Sequence, residues 1–347
     1  MAAGKPIDLV ILTGFLGAGK TTLLNRLLKD PELTDTAVVI NEFGEIAIDH
    51  LLVAQATDGL IELGGGCLCC TARGELAETL LSLAARPQPP RRVVVETTGL
   101  ADPVPVLQLA IGHPELSRIY RTESVITAVD TVNGLATLDA YEEAHSQVAV
   151  ADRIIVTKAD LAPDDEREVL LHHLAALNPY AELLDSQRPD TVTAQTLLRP
   201  VFEGRRIPDG QHDEHDHAGH DHSHADFRSV SITHDRPMPR AAVENFLDLL
   251  ASQLGDQLLR VKGLVESVEH PDCPLLVQGA QRILHAPETL HEWPGGERGT
   301  RIVVIGRAID ADYVRRIFAA FAGQTAVDTP DRTALEQNPL AIPGLRT

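Results

Sequence analysis

No run of about eighteen apolar residues occurs in the chain, so no segment is long enough to be read as a membrane-spanning helix. Cysteine is scarce. There are four in 347 residues, three of them crowded into Cys67, Cys69 and Cys70, which excludes the spaced pairs of a secreted disulfide framework. Basic side chains are also short, 30 against 50 acidic, and the formal charge of −20 disfavours nucleic acid or an anionic membrane as a partner. The stretch from Met1 to Leu12 lacks a cleavable signal pattern, because its apolar part reads as a first strand. These absences lead us to expect a cytoplasmic globular protein of about two domains. Clustered thiols in such a compartment point to metal or redox chemistry, whereas Cys273, alone between Asp272 and Pro274, reads as incidental.

What is present begins at residue 14. Gly14-Phe15-Leu16-Gly17-Ala18-Gly19-Lys20-Thr21 matches G-x-x-x-x-G-K-[ST] in full and follows the apolar run Leu9 to Leu12. A buried strand then delivers a glycine-rich turn whose N–H groups surround phosphate oxygens, and Lys20 to Leu28 supplies a helix whose positive end faces them. Gly14, Gly17, Ala18, Gly19, Lys20, Thr21 and Thr22 are thus the expected nucleoside-triphosphate contacts. Lys20 would reach the β and γ phosphates and the Thr21 hydroxyl would ligate Mg²⁺.

From residue 7 to about 200, β-rich runs alternate with helical patterns, which predicts a parallel-rich α/β sheet with helices on both faces. The expected strands are Leu9–Leu12, Ala37–Asn41, Val93–Glu96, Val125–Val129 and Arg153–Thr157. Ligands of open parallel sheets lie beyond the carboxyl ends of the strands, so Gly14, Glu42, Glu96, Asp130 and Lys158 should face one crevice. We expect a P-loop domain over 1–207, a His/Asp-rich disordered linker over 208–226, a smaller α+β domain over 227–325 and a loose tail over 326–347. In the smaller domain the expected strands are Arg228–Thr233, Leu258–Lys262, Leu275–Gln278 and Arg301–Gly306, with helices over Arg240–Leu250 and Asp310–Phe321.

Five further constellations carry chemistry. Glu96 ends an apolar strand and is followed by Thr97-Thr98-Gly99, the place for a carboxylate acting on Mg²⁺ or its waters, so Lys20, Thr21 and Glu96 form the expected catalytic set. Thr157-Lys158-Ala159-Asp160 resembles the guanine-reading N-K-x-D element with threonine for asparagine. A buried Asp160 carboxylate would accept from guanine N1–H and its amine, and would reject ATP. Cys67, Cys69 and Cys70 after three glycines can converge on one Zn²⁺, Co²⁺ or Cu⁺ and leave an open coordination position. Glu42, after the second strand, is a further candidate ligand or switch residue, as are Glu45 and Asp49; His113 is a possible extra nitrogen. Finally, His212, His215, His217, His220, His222 and His224, interleaved with acids, would collect divalent cations weakly.

Taken together, these residues resemble the CobW-type family of P-loop GTPases that handle metals. The likeness lies in Gly14 to Thr21, Asn41-Glu42-Phe43-Gly44-Glu45, the C-x-C-C motif Gly66 to Cys70, Glu96 to Pro103, Arg260-Val261-Lys262-Gly263, and Trp293 with Arg301 to Arg307. The resemblance implies a slow GTPase in which GTP and Mg²⁺ assemble the cysteine site. Hydrolysis would then release the ion, zinc in first place and cobalt as the alternative, to a client metalloprotein. Slow turnover also fits the absence of an obvious arginine finger or water-orienting glutamine in the switch regions.

Overall fold

The computed structural model describes residues 6–33, 35–40, 60–62, 70–188, 192–198, 227–294 and 298–323. The expected linker 208–226 and tail 326–347 lie outside these residues. Seven strands, β1 (Ile7–Gly14), β2 (Thr36–Ile40), β3 (Leu60–Glu62), β4 (Arg92–Glu96), β5 (Tyr120–Asp130), β6 (Arg153–Thr157) and β7 (Glu182–Asp185), form one sheet. Its order is β3-β2-β4-β1-β5-β6-β7, and every adjacent pair is parallel. The five strands expected from sequence are all there. β3 and β7, of three and four residues, were too short to carry a pattern.

The intervening helices are α1 (Lys20–Leu27), α2 (Cys70–Ala84), α3 (Val104–Gly112), α4 (Leu116–Ile119), α5 (Gly134–Ala140), α6 (Glu142–Ala149), α7 (Asp164–Leu177) and α8 (Ala194–Leu198). Strand side chains alternate between faces, so each central strand feeds two cores. Leu9, Ile11, Val93 and Val95 pack with Leu76 and Leu80 of α2 and Val106 and Leu107 of α3 on one face. Val10, Leu12 and Val94 pack with Leu23, Leu24 and Leu27 of α1 and Leu197 of α8 on the other.

The second domain contains β8 (Phe227–His234), α9 (Arg240–Leu254), β9 (Leu258–Val265), β10 (Leu275–Ala280), β11 (Ile283–Leu284), β12 (Glu288–Thr289), β13 (Thr300–Arg307) and α10 (Ala311–Phe321). Its strands pair antiparallel in the order β11-β10-β9-β13-β8, with β12 on β10. One face is covered by α9 and α10, where Phe246 meets Phe318 edge to face at 5.3 Å over Val230, Val261 and Val304. From the opposite face, Val303 and Ile305 of β13 join the core of the first domain beside Leu107 and Ile111.

The amino-terminal edge of the parallel sheet is held by buried charge. Asp8 on β1 bridges Arg121 at 3.0 Å and Arg92 at 3.7 Å, the residues opposite it on β5 and β4. Asp152, just before β6, accepts from Arg260 Nη2 at 2.7 Å, Lys262 Nζ at 3.3 Å and the Val125 amide at 2.7 Å. Arg260 and Lys262 are two apart on β9 and so point the same way; Arg260 also donates to the Val150 carbonyl. Burial raises the Asp152 carboxyl, but the two cations and the Val125 amide outweigh it and hold the group below its ordinary value. This buried knot joins the two domains.

Among the described residues, no helix is long and apolar enough to cross a membrane.

Candidate functional site

At the carboxyl edge of the same sheet the backbone turns sharply. β1 ends at Gly14 (φ 139°), and Gly17 (φ 73°) and Gly19 (φ 85°) lie in the left-handed region that favours glycine. A Cβ on Gly14 would collide with the Ala128 carbonyl of β5, so the loop can leave the strand only because that atom is missing. Gly19 caps α1, whose first residues are Lys20 and Thr21. Lys20 Nζ donates to the Gly14 carbonyl at 2.9 Å and the Phe15 carbonyl at 3.3 Å, folding over the loop it serves. Ala18 is buried and Thr22 exposed.

Glu96, 5% exposed at the end of β4, accepts from the Thr21 hydroxyl at 3.0 Å. Of the expected catalytic set, Thr21 and Glu96 are thus in contact, and Lys20 precedes Thr21 at the start of α1. The loop after Glu96 runs against the P-loop: a Cβ on Gly99 would stand 2.6 Å from the Leu16 amide nitrogen. Thr97 ties it to β1 through Thr13 Oγ1 at 2.8 Å. Gln147 of α6, unremarked in the sequence, donates to the Gly99 and Ala101 carbonyls at 3.1 and 3.0 Å, and Ser146 donates to Asp102 at 2.8 Å. The Gln147 amide secures the loop rather than a water molecule; no local pattern marks a helical glutamine for that role.

The third component follows β6. Thr157 Oγ1 donates to the Ala18 carbonyl at 2.8 Å, so the hydroxyl ties this loop to the P-loop from the position that asparagine holds in N-K-x-D. Lys158 stands in the left-handed region (φ 56°) and its ammonium pairs with Asp130 Oδ2 at 2.7 Å. Burial raises the Asp130 carboxyl, yet hydrogen bonds from Lys158, Asn133 and the Val132 amide, with the Lys158 charge, keep it below its ordinary value. Asp160 is exposed, not buried as its reading in the sequence supposed, because it sits on the rim beyond the strand end. Its Oδ1 accepts from Gln187 Nε2 at 2.7 Å.

The thiol and carboxylate candidates for the transition metal are differently placed. Cys67, Cys69, Glu42, Glu45, Asp49 and the six histidines from His212 to His224 lie outside the described residues, and Cys70 enters the description only as the first residue of α2. The described strands leading to them, β2 and β3, run parallel, and Ile40 is level with both Glu62 and Glu96. Among the described residues no three His, Cys, Asp or Glu side chains gather as a metal site. His113 serves the backbone, since its Nδ1 accepts from the Glu115 and Leu116 amides at 3.3 Å and so opens α4. Cys273 Sγ contacts only the His291 carbonyl, at 3.5 Å, among the bonds described.

Residues 8–185 match the nucleotide-binding domain described as CobW/HypB/UreG, and residues 227–322 the cobalamin synthesis protein cobW C-terminal domain. The chain belongs to the CobW/HypB/UreG family. The two matched segments carry the two sheets, so the family assignment and the fold divide the molecule alike. The zinc chaperone YjiA of Escherichia coli is 33% identical over 92% of this chain and 99% of its own length. The zinc chaperone CobW of Pseudomonas aeruginosa is 32% identical over 88% of each chain. A crystal structure of Zn(II)-bound YjiA GTPase from E. coli superposes with a TM-score of 0.62 at 28% identity, covering 92% of this chain and 99% of that one.

Proposed function

We propose that this protein is a slow GTPase that carries a transition metal, zinc in first place, and couples GTP binding and hydrolysis to its transfer to a client metalloprotein. The observation that carries the reading is the meeting of Thr21 and Glu96 at 3.0 Å beneath a loop of left-handed glycines. An oxygen pair of that kind beside a phosphate cradle fits magnesium, which when bound would neutralise charge on the β and γ phosphates. Gly14, Gly17, Ala18, Gly19, Lys20, Thr21 and Thr22 would hold the phosphates, and Thr157, Lys158 and Asp160 would meet the base. Lys20 turns its ammonium from carbonyl oxygens toward phosphate, and Glu96 orients the attacking water by accepting its proton side. The buried Gln147 amide is engaged with Gly99 and Ala101, which agrees with slow turnover.

For the cargo we assign Cys67, Cys69 and Cys70 with Glu42, and the histidines His212 to His224 as weak collectors. Two relatives named zinc chaperones support zinc over cobalt. The described ends of β2 and β3, Ile40 and Glu62, are level with Glu96, which supports coupling of a γ-phosphate sensed at Glu96 to the residues that follow those strands in sequence. The test is a single-turnover experiment on zinc-loaded protein with a chromophoric chelator as acceptor. Zinc is expected to pass to the chelator at the rate of GTP hydrolysis and to stay bound with a non-hydrolysable GTP analogue. Transfer at equal rates with both nucleotides would refute the coupling.

A further inference from the structure

The loop following β7 reaches Asp160 through Gln187, and none of its described side chains belongs to the phosphate or metal sites. Guanine presents three groups along one edge: the 2-amino group and N1–H, both donors, and O6, an acceptor. A carboxylate satisfies the first two and leaves O6 in need of a donor. Among the described residues of the β7 loop, 186–188, the backbone amides are already engaged. The Ser186 amide is bound to the Val156 carbonyl at 2.9 Å, the Gln187 amide to Asp185 Oδ1 at 2.9 Å, and the Arg188 amide to the Asp185 carbonyl at 3.1 Å. The nearby cations are also engaged, Lys158 with Asp130 at 2.7 Å and Arg26 with the Ser186 carbonyl at 2.6 Å.

The Gln187 side chain is already aimed at Asp160. Its Nε2 stands 2.7 Å from Asp160 Oδ1. A carboxylate only accepts, so this contact fixes the amide with nitrogen inward, and an amide nitrogen has a second hydrogen to give. The loop that presents it is fastened to α1 through Arg26 and to β6 through Val156, the two elements that follow the P-loop and precede Asp160. We propose that Gln187 is a specificity-determining residue that donates to guanine O6, its amide oriented by Asp160. The proposal rests on Asp160 as the guanine contact. Adenine, with an amine in place of O6, would set donor against donor.

The experiment measures equilibrium binding of GDP, 6-thio-GDP and xanthosine diphosphate to the full-length protein and to Gln187→Ala and Asp160→Asn. In 6-thio-GDP the N1–H and 2-amino group remain while O6 becomes a weak acceptor. Gln187→Ala is expected to weaken GDP about five- to tenfold, the effect of one lost hydrogen bond, and to leave 6-thio-GDP unchanged. Equal losses for both nucleotides, or no loss for GDP, would overturn the proposal. Asp160→Asn tests the underlying reading, since xanthine carries an acceptor where guanine carries the 2-amino group. If that variant turns toward xanthosine diphosphate while Gln187→Ala keeps its preference for GDP over 6-thio-GDP, Asp160 stands and Gln187 falls. If Asp160→Asn shows no such turn, both fall together.

Discussion

The two edges of the parallel sheet are built from the same strands and treat charge in opposite ways. At the amino edge, Asp8 pairs with Arg92 and the half-buried Arg121, and Asp152 with the buried Arg260 and Lys262. At the carboxyl edge Lys20 leans on carbonyl oxygens, Thr21 on Glu96, and Asp160 on an exposed amide. The first set is committed to its own partners: Asp8 with Arg92 and Arg121 ties three neighbouring strands, and Asp152 with Arg260 and Lys262 fixes one domain to the other. The second consists of groups whose present partners a phosphate, a cation or a base could replace. Strand ends in one sheet therefore divide into an edge that holds and an edge that works, which agrees with ligand sites beyond the carboxyl ends of parallel strands.

The largest expected effect breaks the holding edge. Asp152→Ala would leave Arg260 and Lys262 buried without their carboxylate and cost about 3–5 kcal/mol of stability. Thermal unfolding would show it, while GDP affinity at room temperature should stay within about twofold of wild type, the level of a distant site. A large loss of GDP affinity in folded Asp152→Ala would mean that the two edges are not separable. Next comes the working edge. Lys20→Ala removes the one ammonium placed on the phosphate loop and is expected to lower GTP turnover at least about a hundredfold, as loss of a fixed transition-state charge does. Melting should move little, since the bonds Lys20 makes to the Gly14 and Phe15 carbonyls are partly buried and exchange readily for water.

A smaller effect tests the link between the P-loop and the base loop. Thr157→Val keeps shape but removes the hydroxyl bond to Ala18, and should weaken GDP binding by about 1 kcal/mol in isothermal titration. The smallest concerns pH. The Asp152 carboxyl is depressed in the folded protein, so its contribution to stability is complete above the unfolded value, about 3.9, and is lost as pH falls through the lower folded value. Asp152→Asn should flatten that acid limb when stability is followed by denaturant unfolding between about pH 2 and 5. An unchanged slope would assign the limb to other carboxylates, Asp130 among them.

The working edge was largely legible in the sequence and the holding edge was not, for a physical reason. Gly14 to Thr21 is one local segment whose φ requirements are written in glycine, and Glu96 and Thr157 end strands with clear apolar runs. The pair Asp152 and Arg260 is 108 residues apart, and neither position has a local pattern to announce it. Arg260 and Lys262 stood out only as part of a family resemblance, with no role attached. Gln147 and Gln187 escaped for the same reason, because their roles exist only once α6 and the β7 loop are folded against the crevice. His113 shows the converse: a histidine that looked like a ligand candidate is used to open a helix.

The most direct measurement of the central claim is a competition titration of the reduced protein with Zn²⁺ and Co²⁺ in Mg·GTP, in Mg·GDP and without nucleotide, following thiolate–Co²⁺ absorption. Metal transfer driven by the nucleotide requires that GTP alone create the tight thiolate site, that Cys69→Ser abolish it, and that zinc displace cobalt from it. Equal metal affinity in all three conditions would contradict that coupling and leave a GTPase carrying a metal buffer.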